Sequence, residues 1–145
     1  MMNIQTKFFG ETEINEESII NFSDGVLGFE NNKNYIILNL FDNNSFVCLQ
    51  STTDSNTAFI MVKPWDFFAD YEADIPNEDL DEIDINDQEE LVLYNIVSIP
   101  NDLKEATANL LAPVVININK KEGKQYVLRE DKYSTKHFIF PREDD

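Results

Sequence analysis

The sequence predicts a mainly β fold: a small antiparallel β-barrel-like domain with one or two short helices. Short β-favouring apolar runs recur along the 145 residues, each stopped by polar, Gly or Pro punctuation. Neighbouring runs lie about two to five residues apart, the spacing of antiparallel hairpins. The length suits one core rather than two, and a sheet that closes on itself leaves few exposed edges. Residues 1–145 are therefore read as a single domain, with a core over about 3–137 and a polar C-terminal extension over 138–145.

The first strands are expected at Ile4–Phe9, ended by Gly10, at Glu11–Ile14, and at Ser18–Phe22 before Ser23-Asp24-Gly25. Tyr35–Leu40 and Phe46–Gln50 flank the turn Asp42-Asn43-Asn44, and Ala58–Val62 follows Asp54-Ser55-Asn56. Pro64–Phe68 reads as one helical turn, with Pro near its start, where a missing N–H costs nothing. Tyr71–Ile75 reads as a short extended piece. Pro76–Ile83 is the best helix: Leu80 and Ile83 share a face, and acids in the first turn suit the helix dipole. Glu90–Ile99 is a long strand by β-propensity, stopped by Pro100. Asp102–Asn109 suggests another helical turn. Val114–Ile118 and Gln125–Leu128 then flank Lys120-Lys121-Glu122-Gly123-Lys124, read as a hairpin turn around its glycine. Phe138-Ile139-Phe140 is a small apolar patch before a charged end.

The charge is strongly one-sided, with 28 acids against 11 bases and a net charge of −17. Such a field repels nucleic acid and anionic membrane surfaces and steers basic proteins. Between Pro64 and Leu103 there is no lysine or arginine but thirteen carboxylates. They alternate with packing residues such as Trp65, Phe67, Phe68, Tyr71, Leu80, Ile83 and Leu93, so the segment reads as a folded acidic surface and not a tail. Trp65, Phe67 and Phe68 are read as core. Tyr71, between Asp70 and Glu72, is balanced between core and interface.

Signals for chemistry are thin. The single cysteine, Cys48, lies in the apolar run Phe46–Leu49 and reads as a buried thiol, not a nucleophile. The single histidine, His137, reads as a surface or locally bonded residue, and no Gly-x-Ser-x-Gly elbow accompanies it. A calcium loop starting at Asp79 would use Asp81 and Glu90, but Ile83 and Asp84 occupy its fifth and sixth positions, where geometry is strictest. Gly25–Glu30 has no Lys-Ser/Thr and no helix after it, so it reads as a tight turn using Gly for positive φ. Paired carboxylates for glycoside hydrolysis carry no information among so many acids. No enzyme, cofactor or metal is expected. The start lacks a signal-peptide pattern and no run is long enough to span a membrane, so a cytoplasmic protein is expected.

Four ordered segments resemble one family. They are Ile20–Glu30, with its Gly25-Val26-Leu27-Gly28-Phe29-Glu30 turn; Phe46–Ser51 and the strand after it; Pro64–Glu72; and Thr107–Asn117, with Gly123-Lys124-Gln125 and Tyr133 following. Together they are similar to FliW, the bacterial flagellar assembly factors, over roughly Ile4–His137. Leu27 stands where that family usually has proline. The resemblance implies a β-barrel-like cytosolic binding protein, monomeric when free, with two protein partners: flagellin before export, and CsrA, a small basic RNA-binding repressor of flagellin translation. Freed of flagellin, such a protein would bind CsrA away from its RNA site and relieve repression allosterically. The alternative is a flagellin-specific chaperone without a regulatory role. The expected partner contacts are Asp70, Tyr71, Glu72, Asp74 and Glu78, with Asn109 added because it lies in the most distinctive motif. Asn109 has a second reading, as a side chain holding its own loop by bonds to the backbone.

Overall fold

The computed structural model describes residues 1–40, 45–85, 91–129 and 132–140. The turn expected at Asp42–Asn44 and the Glu90 end of the calcium-loop reading lie outside them. Among the described residues there are eleven strands: β1 Met2–Thr6, β2 Gly10–Ile14, β3 Ile20–Phe22, β4 Asn34–Asn39, β5 Phe46–Ser51, β6 Ala58–Val62, β7 Leu91–Ser98, β8 Thr107–Ala108, β9 Val114–Asn117, β10 Glu122–Gln125 and β11 His137–Phe138. The helix α1 spans Asn77–Asp81, and single 3-10 turns occupy Glu16–Ser18, Pro64–Asp66 and Leu103–Glu105.

Seven strands form a closed ring in the order β7-β6-β5-β4-β3-β10-β9, with β9 pairing back onto β7. An odd ring cannot alternate direction throughout, so at least one neighbouring pair must be parallel. That pair is β3 with β10, only two residues deep: Asn21 opposite Glu122 and Phe22 opposite Gly123. The antiparallel expectation holds at every other junction. β8 and β11 extend the sheet beyond β7, and β1–β2 is a separate hairpin.

Side-chain alternation explains three clusters of buried groups. Tyr35 and Ile37 of β4 point into the barrel with Phe22, Leu49, Met61, Tyr94, Val114 and Ile116. Ile36 and Leu38, on the opposite face, are covered by Ile4 and Ile14 of the β1–β2 hairpin. Strand β7 is covered on both faces, which is why its sequence is nearly continuously apolar. Val92, Tyr94 and Ile96 face the barrel interior. Leu91, Leu93 and Val97 face a third cluster with Tyr71, Ile83, Ile85 and Leu110. Cys48 is fully buried, and burial pushes its thiol up to about 11.

Two sequence readings are corrected. Gly123 is not a turn residue: it lies in β10, where a Cβ would come within 2.5 Å of the Phe22 ring. The reversal comes earlier, at Ile118–Lys121, with Lys121 at φ 56°. The apolar patch assigned to the C-terminal extension is woven into the fold, since Phe138 pairs with Thr107 and the Ile139 N–H donates to Ala106 O at 3.1 Å. In the Gly25–Glu30 turn both glycines do take positive φ, 68° and 87°.

Candidate partner-binding surface

The acidic segment is laid across the outer face of β7 and β9. Its first turn begins at Pro64, and the chain then runs without regular structure from Asp70 to Ile75 before entering α1. Tyr71 is buried while Ala73 and Ile75 are half-buried against the third cluster, and Asp70, Glu72 and Asp74 point to solvent. A period of two thus sorts acids outward and packing groups inward, although no partner strand is hydrogen-bonded here. Along Pro64–Ile85, eight carboxylates are exposed: Asp66, Asp70, Glu72, Asp74, Glu78, Asp81, Glu82 and Asp84. Asp79 is half-buried.

Tyr71 is the pin of this strap. It is only 4% exposed, and its hydroxyl donates to Leu110 O at 2.7 Å while accepting from Asn95 Nδ2 at 3.3 Å. Burial raises its phenol to about 12. Its ring meets that of Tyr133 edge-on at 4.8 Å, and the Tyr133 hydroxyl accepts the Glu72 N–H at 2.8 Å. The surface-contact reading of Tyr71 is therefore corrected. Its hydroxyl is spent inside the fold, and its contribution to the surface is to hold Asp70 and Glu72 on either side.

Asn109 adjoins the same pin from below. Asn95 Nδ2 donates to Asn109 O at 2.8 Å, and Asn109 Oδ1 accepts the Ala112 N–H at 3.0 Å. Its loop-holding reading is thus what the geometry displays. Asp70, Glu72 and Asp74 share the strap, while Glu78 is exposed in the first turn of α1.

Two buried amides that sequence reasoning missed brace this surface. Asn95 joins Tyr71 to the Asn109 loop. Asn117 of β9 donates through Nδ2 to Ile83 O at 2.8 Å and Asp84 O at 3.2 Å, tying the end of the helical segment to the barrel. That segment closes with Ile85 N–H on Leu80 O, Asp84 N–H on Asp81 O, and Asp84 at φ 58°, a Schellman-type ending with aspartate where glycine is usual. The signal was available in each case: a lone amide interrupting an apolar strand run.

The surface is free of bases in sequence but not in space. Lys124, from β10, contacts the Glu82 carboxylate and lies 3.7 Å from Asp24. The Glu82 hydrogen bond, ahead of other causes, holds its ammonium above the ordinary lysine range. Lys132 reaches Glu72 at 3.9 Å. His137 Nε2 accepts the Ser134 N–H at 2.9 Å, and burial lowers its pKa, as the locally bonded reading expects. Trp65 departs from the core reading: it is 51% exposed, while Phe67 and Phe68 are half-buried against the third cluster.

Comparison with known proteins places this architecture. The family model described as FliW protein matches residues 3–139. A flagellar assembly factor FliW of Alkaliphilus metalliredigens is 44% identical over 139 residues, covering 95% of this chain and 86% of the relative. The Bacillus subtilis flagellar assembly factor FliW is 40% identical, covering 95% and 96%. A crystal structure of the flagellar assembly factor FliW superposes with a TM-score of 0.92 at 35% identity, covering 98% of this chain and 99% of the other. With the barrel, the glycine turn and the acidic strap all accounted for within that match, the chain belongs to the FliW family.

Proposed function

We propose that this protein is a flagellar assembly factor of the bacterial cytoplasm that binds flagellin and, when free of it, binds CsrA and relieves repression of flagellin synthesis. The observation that carries the CsrA part is the acidic strap: Asp70, Glu72 and Asp74 stand in solvent on a backbone pinned by Tyr71 and Tyr133. A small basic RNA-binding protein is complementary to such a face. Charge arranged in advance accelerates encounter and sets orientation more than it adds raw affinity. The apolar flanks of the strap supply short-range fit. Among the described residues no helix is long and apolar enough to cross a membrane.

Calorimetry with purified CsrA at low and high salt tests the reading. Exposed charge pairs are screened over roughly 10 Å at 0.1 M salt, so affinity is expected to fall by on the order of tenfold between 0.1 and 0.5 M. An affinity indifferent to salt sinks the electrostatic reading, and no binding sinks the CsrA assignment. Changing Asp70, Glu72, Asp74 and Glu78 to their amides is expected to weaken CsrA while sparing flagellin. If both partners fall together they share this face; if only flagellin binds the unaltered protein, the chaperone reading replaces the regulatory one.

A further inference from the structure

Trp65 is the chain's single tryptophan, and it stands beside a cleft lined by Tyr71, Glu72, Ala73 and Asp74. Its Nε1–H donates to the Tyr71 carbonyl at 2.9 Å, and its ring tilts against that of Tyr71 at 6.2 Å. One edge of the indole is thus fastened to the most firmly held residue of the strap, while half of the side chain remains in solvent. A large flat ring held in one orientation and left open is poised for stacking. Glu72 and Asp74, two residues apart, are both exposed on the wall of this cleft. The contact that Glu72 makes with Lys132 is loose, at 3.9 Å between two exposed side chains.

We propose that this cleft receives an arginine side chain from a basic partner, with its guanidinium plane against the Trp65 ring and its N–H fork on the Glu72 and Asp74 carboxylates. Arginine is favoured over lysine because its planar, weakly hydrated head stacks on an indole and still presents donors at its edge, whereas an ammonium is a strongly hydrated point charge. The net charge of −17 selects a cationic occupant over a neutral one. The proposal rests on the reading of the strap as the docking face for a basic protein and names the side chain that face selects.

The lone tryptophan provides the readout. The peptides acetyl-Gly-Arg-Gly-Arg-Gly-amide and acetyl-Gly-Lys-Gly-Lys-Gly-amide carry equal charge. The arginine peptide is expected to change Trp65 fluorescence saturably, and to bind at least about threefold more tightly than the lysine peptide. The double change Glu72→Gln with Asp74→Asn is expected to weaken it about tenfold. Glu11→Gln with Glu13→Gln, in the hairpin that packs on a different cluster, should leave it unchanged. Equal response to the two peptides, or indifference to the Glu72 and Asp74 changes, overturns the cleft. Calorimetry with CsrA separates this proposal from the one beneath it. Trp65→Ala is expected to weaken CsrA, and Trp65→Phe, which keeps a flat ring, to restore most of the loss. Salt-sensitive CsrA binding that is equally tight in wild type and Trp65→Ala overturns the cleft and leaves the docking face standing. Arginine-peptide binding without CsrA binding does the reverse.

Discussion

Asn117 uses every hydrogen-bonding position its amide offers. Besides donating to Ile83 O and Asp84 O, its Oδ1 accepts the Asn119 N–H at 3.0 Å and the Lys120 N–H at 3.1 Å. One fully buried side chain therefore fastens the end of the acidic segment and shapes the reversal between β9 and β10. Truncation leaves the buried Ile83 carbonyl without its partner, at about 1–3 kcal/mol, and takes a partner from the part-buried Asp84 carbonyl and the Asn119 and Lys120 amides at a smaller cost each. Asn117→Ala is expected to lower stability by about 2–4 kcal/mol in urea unfolding, and to speed hydrogen exchange at Asp84 and Ile85 ahead of the barrel strands. Asn117→Asp should cost at least as much, because it turns a donor facing two carbonyls into an acceptor. A change below half a kilocalorie in either variant would refute the bracing role. Much at this scale was legible beforehand: a buried Cys48, a locally bonded His137, a loop-holding Asn109. Tyr71 was harder, because its two charged neighbours suggest a surface. Only the outward alternation of Asp70, Glu72 and Asp74 shows that a residue between acids must point inward.

At the level of elements, strand runs showed in sequence wherever one face is apolar and the other is not, or both are buried, as in β4 and β7. The β9–β10 hairpin was misplaced for a physical reason: β10 is Glu-Gly-Lys-Gln, a sequence with turn composition and only Gly123 buried. Its identity as a strand comes from its neighbours, not from itself, since β9 and β3 supply the ladder on either side. Gly123 is small because the fully buried Phe22 ring occupies the place of a side chain. Gly123→Ala is expected to cost about 1–3 kcal/mol through overpacking. Phe22→Leu alone should also destabilise, by leaving a void. Combined, the two changes should cost less than their sum, because each relieves the strain of the other. Strict additivity in denaturant midpoints would show that the ring and the glycine do not share that space.

Across the whole molecule, buried phenols tie stability to alkaline pH: Tyr94 and Tyr126 are raised by burial, and two others are raised further. Tyr35 in the barrel and Tyr71 beneath the strap are both pushed up to about 12, chiefly by burial, against about 10 in an unfolded chain. The folded state keeps protons that the unfolded state releases between those values. Their contribution is therefore fully present below pH 10 and lost as pH rises toward 12, by on the order of 2 kcal/mol for each phenol. Urea midpoints at pH 9, 10.5 and 11.5 are expected to fall in that order, less steeply for Tyr71→Phe. A midpoint unchanged to pH 11.5 would contradict this. The mainly β barrel was legible from run spacing and patterning, but its parallel junction was not, because parity is a property of the closed ring and of no single segment. That junction has a consequence for synthesis on the ribosome. Of the ring strands, β3 to β6 emerge first and can pair among themselves, but β3 then waits about a hundred residues for β10. Contacts so distant along the chain form late and slow folding. Until they form, the nascent sheet carries an open edge at β3, and that edge is where premature association between growing chains would begin.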